Sequence, residues 1–167
     1  QLVPICLPRL KTTFDDLKIE IENEDFILAK LNSKRFVFTT SFNGSTYHKY
    51  EVISVEKGGY VYEITIKYQG IKKDNAISYS DEGQSKTIKK ILDNFKFNDT
   101  LTEGEEVVYK ADSTPENMKC ASNSKIVDYY LFVPSSWVIE KTVGTVSSAY
   151  VSKSDKTNVN VMQWNYK

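Results

Sequence analysis

His48 is the one side chain of this chain whose ordinary pKa falls near neutrality, and it stands alone as the single histidine. A histidine acting as general base needs a nucleophile or an orienting carboxylate beside it, and no motif around Tyr47-His48-Lys49 supplies either. A partly exposed structural histidine is the plainer reading. Glu103, Glu105 and Glu106 could approach a hard cation, as could Asp155, but neither group follows the ligand spacing of a calcium loop. Solvated charge on a connecting segment suits them better. Cys6 and Cys120 are the only two cysteines, too few for a disulfide scaffold or a four-thiolate zinc site. Three readings stay open for them: two unrelated thiols, one bridge from the connecting segment to the first helix, or a reactive thiol. A glycine-rich phosphate loop, a G-x-S-x-G elbow and a His-Glu-x-x-His helix are all absent from the sequence. No catalytic residue, no cofactor-binding residue and no metal ligand is therefore assigned, no cofactor is expected, and binding residues are left open.

Eleven tyrosines and eight phenylalanines invite a stacking platform for sugars or bases. Strand alternation instead puts Phe36, Phe38, Tyr60 and Tyr62 on a core face. Trp137, just after Pro134, is expected to cap the sheet, and Trp164 to be the more exposed of the two tryptophans. Lysine plus arginine and aspartate plus glutamate both number 22, so no global field draws the molecule to nucleic acid. No apolar run approaches the roughly 18 residues of a membrane span, and no transmembrane segment is expected.

The elements that must position these residues are mostly strands. Leu7, Leu10, Phe14 and Leu17 recur at helical spacing from Pro8, which predicts a short amphipathic helix. Leu17 to Leu31 alternates like a strand, with a turn expected at Asn23 to Asp25. Then comes a three-stranded meander: Arg35 to Phe42, Tyr47 to Val55 and Tyr60 to Tyr68, joined at Asn43-Gly44 and Lys57-Gly58-Gly59. Ile88, Ile91, Leu92 and Phe95 mark one buried face of a helix between Ser80 and Phe95, with Lys86, Lys89 and Lys90 solvated. Residues 98 to 128 read as an acidic linker holding one short strand at Val107-Val108-Tyr109. Tyr129 to Val133, Ser147 to Val151 and Val159 to Trp164 are three further β-rich segments.

Tyr129-Tyr130-Leu131-Phe132-Val133-Pro134-Ser135-Ser136-Trp137, Ala149-Tyr150 and Thr157-Asn158-Val159-Asn160-Val161 together resemble the opening of a PsbP-like domain. The meander and the helix ending Leu92-Asp93-Asn94-Phe95-Lys96-Phe97 look like the same family's second half, placed upstream. The resemblance implies an α+β fold, an αβα sandwich around an antiparallel sheet in permuted order. Residues 1–97 would be the C-terminal-type half, 98–128 a linker, and 129–167 the N-terminal-type half, completing the same sheet or beginning the next domain. Either one chain closes that sheet or two chains exchange strands as a homodimer. The family's exported bacterial members imply an extracellular or cell-surface, lipoprotein-type protein. Its function would be a non-enzymatic binding or assembly module contacting a protein or cell-envelope component. Two other functions compete: a small-ligand or carbohydrate carrier using exposed aromatics, and a hydrolase built on His48.

Overall fold

A computed structural model describes residues 11–14, 16–98, 114–123, 126–140 and 144–165. The helix expected from Pro8 and the strand at Val107 to Tyr109 lie outside these, apart from the helical residues 11 to 13. Strands β1 (Lys18–Leu28), β2 (Leu31–Phe42), β3 (Thr46–Lys57) and β4 (Tyr60–Lys73) form consecutive antiparallel hairpins. Asn43 and Gly44 take φ of 51° and 62°, and Gly58 and Gly59 take 61° and 81°, the mirror-image turns that match strand twist. The first hairpin turns instead at Ala29 and Lys30, both with positive φ and neither a glycine. The turn expected at Asn23 to Asp25 is an irregularity inside β1: Asn23 has φ of 64° and the register slips between Ile21 and Glu24. That slip twists an edge strand already lined with Glu20, Glu22, Glu24 and Asp25, two devices that discourage pairing with another chain.

Strand β4 continues past its pairing with β3 into a second hairpin with β5 (Ala76–Tyr79). Gly70 sits where the two meet, and a Cβ there would lie 2.6 Å from the Tyr47 Cβ and 2.9 Å from the Tyr79 ring. Only glycine fits that approach. Helix α1 (Asp81–Asn94) follows and buries Ile88 and Ile91 against the sheet, with Phe95 closing its end.

The remaining chain folds back on the same sheet. Short strands β6 (Lys96–Phe97) and β8 (Tyr129–Tyr130) pair, as do β7 (Met118–Cys120) and β9 (Phe132–Pro134). Beyond β10 (Val138–Ile139) and β11 (Ser147–Tyr150), strand β12 (Asn158–Asn165) runs antiparallel to β4 over eight residue pairs, Asn158–Lys67 to Asn165–Tyr60. The sheet order is β1-β2-β3-β4-β12-β11-β10. Val159 and Val161 of β12 are fully buried beside Ile66 and Ile64 of β4 in the main core. A buried tyrosine locks the return: the Tyr62 hydroxyl donates to both oxygens of Asp128, at 2.8 and 2.7 Å.

The αβα sandwich is not what forms. The fold is a β-rich antiparallel sheet, with 57% of the described residues in strands and 13% in helix. The reason lies in what covers each face. On the inner face, α1 is joined by the short strands and connecting turns of residues 118–137, which place Met118, Ala121, Val127, Leu131, Phe132 and Trp137 in the core. Several of these fall in the stretch read as linker. Among the described residues the outer face is more polar, with few of the apolar rows that a second helix layer would need. It carries Thr40, His48, Ser54, Glu63, Thr65, Lys67 and Gln69, with a small cluster of Phe36, Phe38 and Val52 backed by Leu17 and Tyr50, and with Val61, Met162 and Trp164 where β4 pairs with β12. Phe36 and Phe38 are thus buried on the face opposite Tyr62, and Tyr60, at the strand end, is 39% exposed.

Candidate functional site

Among the concave regions of the described residues, two that hold charged side chains differ in how those charges are met. The larger, about 640 Å³, is a groove between α1 and the inner face, with Phe26, Tyr68, Ile88 and Leu92 as its apolar wall. Its more buried charges are already satisfied. Arg35 donates through Nε to Glu51 at 2.6 Å and through a terminal nitrogen to Glu24 at 2.7 Å, and the Tyr68 hydroxyl donates to the second Glu51 oxygen at 3.2 Å. Lys49 bridges Glu20 and Asp81 at the groove's end. Closed networks of this kind stiffen a fold and leave little for a ligand to gain.

The second region, about 440 Å³, lies on the outer face over β4, β12 and β11. One row of side chains crosses it: Tyr50, Lys67, Asn158 and Tyr150, set by the pairings Tyr50–Lys67, Lys67–Asn158 and Tyr150–Asn158. The row beside it brings Thr65, Asn160 and Ser148 together. Lys153 and Lys156 complete the rim from the loop before β12. Among the described residues, neither Lys67 nor Lys156 has an ion pair. Burial, and then the Lys156 ammonium, push the Lys67 pKa below its ordinary value. One carboxylate lines the pocket: Glu140, which accepts a hydrogen bond from Ser148 at 2.8 Å.

The loop that carries the two rim lysines is held in place. The Val151 N–H donates to Thr157 O at 2.9 Å, and the Asp155 carboxylate accepts from the Thr157 N–H at 3.0 Å and its hydroxyl at 2.7 Å. The second Asp155 oxygen accepts from Gln84 of α1 at 2.9 Å. Asp155 is therefore a structural anchor, and its alternative as a cation ligand loses its free oxygens. Across the sheet, Asn160 donates its amide to Asn158 Oδ1 at 2.8 Å, and Asn158 donates to Lys156 O at 3.1 Å, which fixes both amides. Such fixed donors and acceptors lose little freedom when a ligand arrives.

His48 sits two residues before Tyr50 on the same outer face, opposite Gln69 on β4 and Thr40 on β2. Burial first, then the charge of Lys67, lower its pKa to about 4. The groups acting on it are two lysines and an amide, not a carboxylate, which is the wrong environment for a general base. The sign of the resulting pH dependence follows. The unfolded chain takes up this proton near pH 6.5, the folded chain only near 4, so stability falls as pH drops through that window. After discounting for solvent access the loss is about 2 kcal/mol. His48→Gln should remove that part of the slope between pH 6.5 and 4 in urea unfolding and leave stability above pH 7 nearly unchanged; parallel wild-type and variant curves would refute it.

The other residues singled out in the sequence scatter. Trp137 is buried in the main core, and Trp164 is half-buried on the outer face of β12. Cys120 carries a free thiol beside Ser122, while Cys6 and the Glu103 to Glu106 cluster lie outside the described residues. No group of three metal-ligating side chains forms among the described residues, and none of their helices is long and apolar enough to cross a membrane. Sequence reasoning passed over Lys67, Lys156 and Asn160. The one available signal was the alternation Asn158-Val159-Asn160-Val161, which declares a strand whose second face is amide-bearing.

Set against protein-family models, curated proteins and solved structures, the chain matches none of them. Nothing in those comparisons identifies a PsbP-like domain.

Proposed function

We propose that this protein is a non-enzymatic binding module that contacts a protein or cell-envelope component through the outer face around Lys67. The observation that carries the reading is the pair Lys67 and Lys156, cations without a carboxylate partner among the described residues, in a preformed polar pocket. A half-buried lysine facing another cation is a standing electrostatic penalty that an external partner would relieve. An extracellular or cell-surface setting belongs to the same proposal, on the strength of the residue resemblance alone.

Co-sedimentation with isolated cell-envelope fragments tests it. Wild-type protein should be retained, Lys67→Met with Lys156→Met should weaken retention about tenfold or more, and Leu92→Gln in the groove should change little. Retention that survives the lysine changes and is lost with Leu92→Gln would move the contact to the groove and end this reading.

A further inference from the structure

The Lys67 pocket offers acceptors as well as donors, and that combination narrows the ligand. A bare anion such as phosphate would use the ammonium groups of Lys67 and Lys156, with Lys153 nearby, and would be repelled by Glu140. A neutral molecule would leave the lysines as they are. A ligand that brings both an oxyanion and hydroxyl donors uses every wall: ammonium groups for the anion, and the Glu140 carboxylate and the Asn160 carbonyl oxygen for hydroxyls. Among the described residues that Asn160 oxygen accepts no hydrogen bond. Tyr150 lines the same pocket and supplies a flat apolar surface of the kind sugar rings pack on. The volume of about 440 Å³ lies within the range of small-ligand sites.

We propose that this pocket binds an acidic saccharide, its carboxylate or sulfate held between Lys67 and Lys156 and its ring hydroxyls received by Glu140 and Asn160. The inference rests on the outer face being the contact surface and names the chemistry that this surface selects.

The single histidine makes a clean reporter. Because Lys67 and Lys156 help hold its pKa at about 4, an oxyanion seated between them should raise the His48 midpoint towards 6.5. The full chain is titrated by proton NMR with four probes: a glucuronic acid oligosaccharide, a sulfated oligosaccharide, a neutral glucose oligosaccharide and inorganic phosphate. The expected result is saturable binding of at least one acidic oligosaccharide with an upward His48 shift, weaker binding of phosphate, and none of the neutral sugar. Lys67→Met and, separately, the exposed Lys156→Met should each weaken the acidic oligosaccharide about tenfold. Glu140→Gln should bring phosphate and saccharide affinities closer together. Equal binding of the neutral sugar, phosphate as tight as the saccharide, or lysine variants with unchanged affinity would each overturn the proposal. Wild-type protein that sediments with envelope fragments through its lysine pair yet binds neither acidic oligosaccharide would overturn this inference and leave the binding-module reading standing.

Discussion

Val161→Asp will abolish cooperative unfolding, whereas Val138→Asp will move the thermal midpoint only slightly. Val161 is fully buried on β12, flanked by Ile64 of β4 and Ser147 of β11. An aspartate there places a carboxylate in the apolar core with no cation to meet it, a change of more than about 4 kcal/mol. Total stabilities of such domains are about 5–15 kcal/mol, so most or all of the native population is lost. Val138 lies on the outermost strand, 43% exposed, where the same substitution should stay within about 0.5 kcal/mol. Circular dichroism melts with amide NMR dispersion would decide it. A Val161→Asp chain that melts like wild type would mean that β12 is not seated beside β4.

Arg35→Met should destabilise by about 2–3 kcal/mol through the carboxylate it strands rather than through lost packing. The Glu51 side chain is 13% exposed and takes its strongest contact from the Arg35 Nε. Methionine keeps much of the arginine stem's volume but leaves Glu51 with only the Tyr68 hydroxyl at 3.2 Å. The double change Arg35→Met with Glu51→Gln removes both charges and retains an oxygen for Tyr68 to donate to. It should recover most of the loss in chemical denaturation, and a double variant as unstable as Arg35→Met alone would show that packing dominates.

Much of the architecture was legible because its signals are local. The glycine and asparagine turns, the Tyr60 to Tyr68 alternation and the Ile88, Ile91, Phe95 face each reflect a backbone preference or a period that a dozen residues can carry. What stayed hidden depends on distant partners. Strands of two or three residues such as β6 to β9 have no period to detect, so residues 118–134 looked like linker and opening strand rather than a covering layer. Without that layer in view, the second set of helices was implied by the resemblance to PsbP-like domains alone, not by any period in the strands. Alternation correctly separated Glu63 and Lys67 from Ile64 and Ile66, yet it could not show that Glu63 is buried and Lys67 lines a pocket. The binding face escaped for the same reason. Lys67 and Asn158 become neighbours only through pairing across roughly ninety positions of sequence, and each taken singly is an ordinary polar strand residue.

The placement of β12 between β4 and β11 also bears on how the molecule is made. During vectorial synthesis the flank of β4 that runs from Tyr60 to Lys67 has no mate until residues 158–165 emerge. Throughout that delay a nascent chain would display bare peptide groups beside Tyr62, Ile64 and Ile66, a sticky template for its neighbours. Slow, late closure is the kinetic signature of such non-local pairing. Production of this protein should accordingly respond to chaperone supply and growth temperature far more than its finished, fully zipped form would suggest.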